Sequence, residues 1–331
     1  MMQILKSNPG RRLKKHAVLA MVLLAIALTG CTTALPRAPG QAAATYIADV
    51  DIRYHGFQRT YLVHLPPGYD GKQPLPMVIV LHGAFGNAKL VERFSGFSQL
   101  ADEKQFIAIY PNGIGYLGLF QHWNAGHCCG TAQEDNIDDV GFLAAVIKDA
   151  SGRLAVDQRH IFMVGFSNGG MLAYRFAAER GEMLAAFAPL AASAGGRTDE
   201  NSPEWGIPRP VKPLPVIAFH GLVDEHVPFE GGTNPAKKSG REYWSVMRSL
   251  GVWIERDGCA ETPIERDERQ GKVHVQDWKN CTDHDEVVLY TLEGWPHKWP
   301  SPYYSNERDP QDPLHGFDAA RIIWDFFEQM P

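Results

Sequence analysis

Long apolar runs are scarce in this chain of 331 residues. The most conspicuous, Ala17 to Leu28, is shorter than the ~20 residues that a membrane-crossing helix needs. A basic excess is also missing: 32 Lys and Arg face 38 Asp and Glu, a net charge of −6. No basic patch with interleaved aromatics occurs, so nucleic-acid binding is not expected. Cysteine is sparse, five in all, so no more than two disulfides can form once Cys31 is set aside. No internal repeat is visible, which removes the solenoid and propeller architectures. What remains is a globular composition, 44% hydrophobic and 21% charged. Its length suits one large domain with a full core, or two small ones.

The N-terminal residues do not read as part of that core. Lys6, Arg11, Arg12, Lys14 and Lys15 precede the apolar run, and small residues follow it. This is the pattern of a secretory signal over residues 1–30. Leu28-Thr29-Gly30-Cys31 resembles the bacterial lipobox, in which the cysteine is lipidated and becomes the mature N-terminus. Thr32, rather than Asp, follows Cys31, which resembles sorting to the outer membrane. The expectation is a cell-envelope protein held to the membrane by an N-terminal lipid alone; the alternative is ordinary cleavage nearby, which leaves Cys31 a stray thiol and the protein periplasmic or secreted. Residues 31–45, rich in Ala, Pro, Thr and Gly, read as a flexible tether. Residues 46–331 form the expected domain. Loss of residues 1–30 leaves 27 basic against 38 acidic side chains, a net −11.

Strand and helix patterns alternate along the domain. Ile47–Tyr54 and Arg59–Leu65 read as strands. Met77–Leu81, Phe106–Tyr110, Ile161–Val164, Val216–Phe219 and Glu286–Leu292 are short apolar runs of the kind buried on both faces of a sheet. Asp139–Leu154, Met171–Glu179 and Ala319–Met330 carry helical periodicity. Alternation of this kind predicts an α/β fold, a mostly parallel sheet with helices on both faces. The polar, proline-rich stretch Gly195–Pro215 is expected to be a surface loop.

Gly165-Phe166-Ser167-Asn168-Gly169 matches Gly-x-Ser-x-Gly, with a strand pattern before it and a helix pattern after it. A serine hydroxyl is a weak nucleophile and needs both exposure and a base. The sharp strand-to-helix turn supplies exposure, and its glycines remove side chains that would clash. Gly96-Phe97-Ser98 lacks the second glycine, because Leu100 stands there. On this plan an acid and then a histidine follow the serine. Asp224 comes just after the strand Val216–Phe219, whose end should face the site. His297 comes directly after the last strand, in Trp295-Pro296-His297-Lys298-Trp299-Pro300. His315 is the second choice, and His226 lies too near Asp224 to reach back. The backbone N–H groups of Asn168 and of Ala84, in the loop after Leu81, are the expected oxyanion donors. No cofactor or metal is required, and His127-Cys128-Cys129 is too compact to converge on one ion. Cys128, Cys129, Cys259 and Cys281 allow three pairings, which the sequence does not separate. Cys259–Cys281 is favoured because it closes a moderate loop, with Cys128 and Cys129 either bonded as neighbours or left as thiols.

Several segments occur in a telling order. They are Leu81-His82-Gly83, Trp123-Asn124-Ala125-Gly126 with Cys128-Cys129-Gly130, Asp138-Asp139-Val140-Gly141-Phe142, Gly165 to Met171, His220-Gly221 with Asp224, and His297 with Trp299-Pro300. Together they resemble the polyhydroxybutyrate depolymerase and feruloyl esterase family of secreted serine esterases. The resemblance runs from about Asp51 to the C-terminus. It implies an α/β-hydrolase fold, a Ser167–His297–Asp224 triad and a Cys259–Cys281 disulfide. One departure is Trp295-Pro296, where the family usually has glycines before the histidine; this bears on the shape of the acyl pocket.

Trp123, Phe166, Trp295 and Trp299 are candidate substrate-facing aromatics, suited to a phenolic or sugar-linked acyl group. The expected substrates are feruloyl or acetyl esters of plant polysaccharide, or short polyhydroxyalkanoate-type esters. An acyltransferase with the same triad is the alternative. A peptidase or a non-catalytic surface binding protein fits less well.

Overall fold

The computed structural model describes residues 45–234, 240–282 and 286–331, with side chains from Asp51 onward. The signal segment, Cys31, nearly all of the tether and His284 lie outside the described residues. One compact unit spans Ala43–Pro331.

Its frame is a sheet of ten strands in the order β1-β2-β4-β3-β5-β6-β9-β14-β13-β12. In chain order the first six strands are β1 (Thr45–Tyr54), β2 (Phe57–Leu65), β3 (Leu75–Leu81), β4 (Ile107–Pro111), β5 (Val156–Phe166) and β6 (Ala186–Leu190). Next come β7 (Gly195–Arg197), β8 (Trp205–Gly206), β9 (Val216–Gly221), β10 (Gly232–Thr233) and β11 (Glu242–Tyr243). The last are β12 (Ile264–Glu268), β13 (Val273–Trp278) and β14 (Val287–Leu292). From β4 to β14 across the sheet the pairing is parallel. At both margins it is antiparallel.

The helices are α1 (Ala88–Ser95), α2 (Phe97–Lys104), α3 (Gly130–Glu134), α4 (Asp139–Arg153), α5 (Asn168–Arg180), α6 (Val246–Arg256), α7 (Pro302–Ser305) and α8 (Ala319–Phe327). Polar side chains start several of them. Asn87 accepts the Leu90 N–H, Asp138 that of Gly141, Ser245 that of Arg248 and Asp318 that of Ala320. Gly96, at φ +84°, ends α1 and opens α2, a left-handed turn that suits glycine.

The period-two geometry of β3 divides the core. Met77, Ile79 and Leu81 face a layer built from α4, α5 and α6, through Phe142, Leu172, Phe176 and Trp253. Val78 and Val80 face the opposite layer, where Val91, Phe97, Leu100, Ile323 and Phe327 come from α1, α2 and α8. Burial on both faces explains why the central strands read as unbroken apolar runs.

One expectation is corrected. Gly195–Pro215 is not simply a surface loop: β7 and β8 lie within it and join β10 and β11 in a second sheet, ordered β10-β11-β7-β8. Gly195 and Gly206 press against the Trp244 indole, where a Cβ at either position would collide with the ring. Strands of two or three residues leave no alternation in a sequence, so this sheet has no periodic signature.

Candidate active site

Four parallel strands end on one edge and deliver the site. The register pairs Leu81 with Gly165 and Leu292 with Gly221, so these chain reversals lie level. The loop after β3 carries Gly83 and Ala84, β5 leads to Ser167, β9 leads to Asp224, and β14 leads to His297.

Ser167 sits at φ +54°, a backbone angle that costs energy for a residue with a side chain. The turn is held by the Ser167 N–H bonding to the Leu190 carbonyl at 2.8 Å. Gly165 and Gly169 are needed on either side: a Cβ on Gly165 would strike the Gly169 carbonyl, and one on Gly169 would strike those of Leu81 and His82.

His297 bridges Ser167 and Asp224. Its Nε2 lies 2.8 Å from Ser167 Oγ, and its Nδ1 lies 2.7 Å from Asp224 Oδ2. A carboxylate only accepts, so Nδ1 carries the proton and Nε2 is left to accept from the serine hydroxyl. Asp224 Oδ1 also accepts the N–H groups of His226 and Val227, at 2.8 and 2.9 Å. Burial would push this carboxyl up, but the His297 hydrogen bond and the neighbouring donors outweigh it and hold the group below the usual range. His220, behind Asp224, donates from Nε2 to the Val227 carbonyl at 2.8 Å, and burial pushes its pKa down. Glu225, the adjacent acid, is exposed. His315 bonds through Nδ1 to the Arg308 carbonyl at 3.1 Å; the histidine on Ser167 is His297.

Gly83 and Ala84 line the cavity above Ser167. A Cβ on Gly83 would come 3.3 Å from that of Ser167, so the loop runs directly against this serine. His82 holds the loop in place, bonding through Nδ1 to the Gly83 carbonyl at 2.7 Å while Nε2 accepts the Gly113 N–H at 3.0 Å. Asn168 is the first residue of α5, where a backbone N–H has no partner within the helix. Its side chain is engaged elsewhere: Oδ1 accepts the Trp123 N–H and Nδ2 donates to the Trp123 carbonyl, at 2.8 and 2.9 Å.

The cavity has a volume of about 480 Å³. Phe166 lines it, with its ring 5.0 Å from that of His297. The three tryptophans do not, and the expectation that they face substrate is corrected. Trp123, Trp295 and Trp299 are 0%, 2% and 0% exposed. The Trp123 indole donates to the His82 carbonyl at 2.9 Å, and that of Trp295 to the Lys298 carbonyl at 2.8 Å. Trp299 packs against Phe94, Phe97 and Phe166. They brace the loops around Ser167 and His297. The cavity wall comes instead from residues not expected to face substrate, among them Phe85, Met171, Arg241 and Tyr243. The ring of His226 stacks on that of His297, centroids 4.8 Å apart.

Cys259 and Cys281 are bonded, with S–S 2.04 Å. Cys128 and Cys129 are joined as neighbours and line the cavity. Among the described residues, no group of three or more His, Cys, Asp or Glu is placed to hold a metal ion. No helix among them is long and apolar enough to cross a membrane.

Known proteins resemble this chain in sequence and fold. The family described as "Esterase PHB depolymerase" matches residues 59–198. NocK of Nocardia uniformis subsp. tsuyamanensis, an esterase by name, is 30% identical over 281 residues, covering 81% of this chain and 78% of that protein. Feruloyl esterase B of Piromyces equi is 27% identical over 241 residues, 72% of this chain but 42% of that longer protein. A ferulic acid esterase from Anaeromyces mucronatus, solved with ferulic acid, superposes with a TM-score of 0.52 at 13% identity. That superposition covers 89% of this chain and 93% of the other, and it shows the fold. On the strength of sequence and fold together, the chain belongs to the polyhydroxybutyrate depolymerase and feruloyl esterase family and is a carboxylic-ester hydrolase of the α/β-hydrolase fold.

Proposed function

We propose that this hydrolase works through an acyl-enzyme on Ser167. The observation that carries the reading is the pair of hydrogen bonds that His297 makes, to Ser167 Oγ and to Asp224 Oδ2. His297 takes the hydroxyl proton as Ser167 Oγ attacks the ester carbonyl. Asp224 keeps the ring oriented and stabilises its charged form. The N–H groups of Ala84 and Asn168 receive the oxyanion, where preorganised donors act most strongly. His297 returns its proton to the leaving alcohol, then activates the water that releases the acid.

The substrates proposed are feruloyl or acetyl esters of plant polysaccharide, or short polyhydroxyalkanoate-type esters. Support comes from the related feruloyl esterases and from Phe166, an aromatic face beside the nucleophile. The proposed location is the cell envelope, with a lipid on Cys31 anchoring the chain to the outer membrane.

A fluorophosphonate probe tests the mechanism. It should label wild-type protein at Ser167 and leave Ser167→Ala unlabelled; wild-type protein without label would end the reading. Turnover of methyl ferulate, acetylated xylan and hydroxybutyrate oligomers then identifies the acyl group. Acyl transfer to an added sugar in preference to water would make the protein an acyltransferase. Globomycin should cause the precursor to accumulate if Cys31 is lipidated.

A further inference from the structure

Arg241 shares the cavity with Ser167 and His297. It reaches the cavity because the small sheet carries it there: it directly precedes β11, whose Tyr243 also lines the wall. Among the described residues its Nε is buried without a partner, and Nη1 lies 3.8 Å from the Cys129 sulfur. The Tyr243 hydroxyl also hydrogen-bonds to it, and His122 and His127 lie within its electrostatic reach. Glu134, an acidic side chain on the same cavity, is exposed, and among the described residues no carboxylate pairs with Arg241.

A guanidinium offers five N–H donors in a flat fork that matches a carboxylate. With a buried Nε–H unpartnered and no carboxylate on it among the described residues, such a fork in a partly closed cavity keeps donors available for an anionic group. Arg241 and Ser167 line one cavity of about 480 Å³, so a single molecule can place one group on the guanidinium and an ester carbonyl on the serine.

We propose that this cavity takes esters that also carry a free carboxylate, and that Arg241 receives it. The substrate class is the hemiester of a medium dicarboxylic acid, or an ester whose alcohol half bears an acid group. The inference deepens the esterase mechanism proposed above and rests on it.

Two matched pairs test it. In 4-nitrophenyl hydrogen adipate against methyl 4-nitrophenyl adipate, the charge is on the acid half. In 4-carboxyphenyl butyrate against 4-(methoxycarbonyl)phenyl butyrate, it is on the alcohol half. Wild-type protein should prefer the anionic member of one pair in kcat/KM by about tenfold or more, the range of a charge-assisted hydrogen bond. The pair that responds identifies the half. Arg241→Met should bring the ratio to about one, and Arg241→Lys should restore part of it. A wild-type ratio of one or less in both pairs, or a ratio that Arg241→Met leaves unchanged, overturns the proposal. Calorimetry with adipate separates the two readings. Ser167→Ala protein should bind adipate, and the double variant with Arg241→Met should not. Binding that depends on Arg241, without cleavage of any ester by the wild type, would end the esterase mechanism and keep this inference; no binding would end the inference.

Discussion

Nε2 of His82 accepts the Gly113 backbone N–H at 3.0 Å, tying the loop after β3 to the chain that leaves β4. Because a backbone N–H can only donate, His82 must carry its proton on Nδ1, where it meets the Gly83 carbonyl. The ring is a strut under the loop that faces Ser167.

Replacing this strut should loosen the oxyanion donors while leaving the triad in place. His82→Leu is expected to lower kcat by about 10²-fold, comparable to the loss of one oxyanion donor, with a smaller effect on KM. Steady-state kinetics with p-nitrophenyl acetate measure both; an unchanged kcat would show that Gly83 and Ala84 hold their positions unaided.

Triad variants should separate by role. Ser167→Ala and His297→Ala are expected to lower ester turnover by about 10⁶-fold, and Asp224→Ala by about 10⁴-fold. Near-normal turnover of the His297 variant would move the base elsewhere, with His226, stacked on it, the first to test.

Stability should fall on mild acidification. Burial pushes His82 down from 6.5 to about 4 and His127 down to about 3. Below pH 6.5 the unfolded chain takes up protons that the folded chain refuses, so the folded state loses ground as pH falls toward 4. Each such histidine contributes up to about 1.4 kcal/mol per pH unit. Asp224, held low, adds its loss only at more acid pH. Urea midpoints from pH 7 to 4.5 should decline steadily, and His82→Gln should flatten the slope; a level wild-type curve would contradict the burial argument.

Arg59 and Asp139 form a buried ion pair at 2.6 Å that supports the segment leading to Cys128 and Cys129. Asp139 also accepts the Asn124 N–H at 2.7 Å, and the guanidinium lies 3.6 Å from the centre of the Phe142 ring. Removing one partner strands the other in a dry site, so Asp139→Ala should cost about 3–5 kcal/mol. Urea unfolding checks the size, and a loss under about 1 kcal/mol would mean that water reaches the exposed partner.

The Cys259–Cys281 bridge spans 22 positions and joins the end of α6 to the end of β13. A loop of that length contributes about 3 kcal/mol in the chain-entropy account. The double serine variant should unfold at correspondingly lower urea, and dithiothreitol should lower the midpoint of the wild type by more than that of the variant, which keeps only the Cys128–Cys129 bridge.

Local rules determined much of this protein from its sequence. The strand runs Met77–Leu81 and Val216–Phe219 were legible because burial on both faces leaves no polar positions. Ser167 was legible because its turn demands glycine on both sides within five residues. Asp224 and His297 could be named because each follows a strand, and parallel strands end on one edge. Long-range packing decided the rest. Trp123, Trp295 and Trp299 look like Phe166 in sequence, yet only Phe166 lines the cavity, because exposure depends on what the rest of the chain lays over each ring. The sheet of β7, β8, β10 and β11 has strands too short for a period, so Arg241 could not be placed beside Ser167 before the fold was known. His226 was set aside for its nearness to Asp224, and only the tertiary structure revealed it stacked on His297. A sequence names the groups that a local turn requires; which distant side chains meet them across the cavity is fixed by how the layers pack.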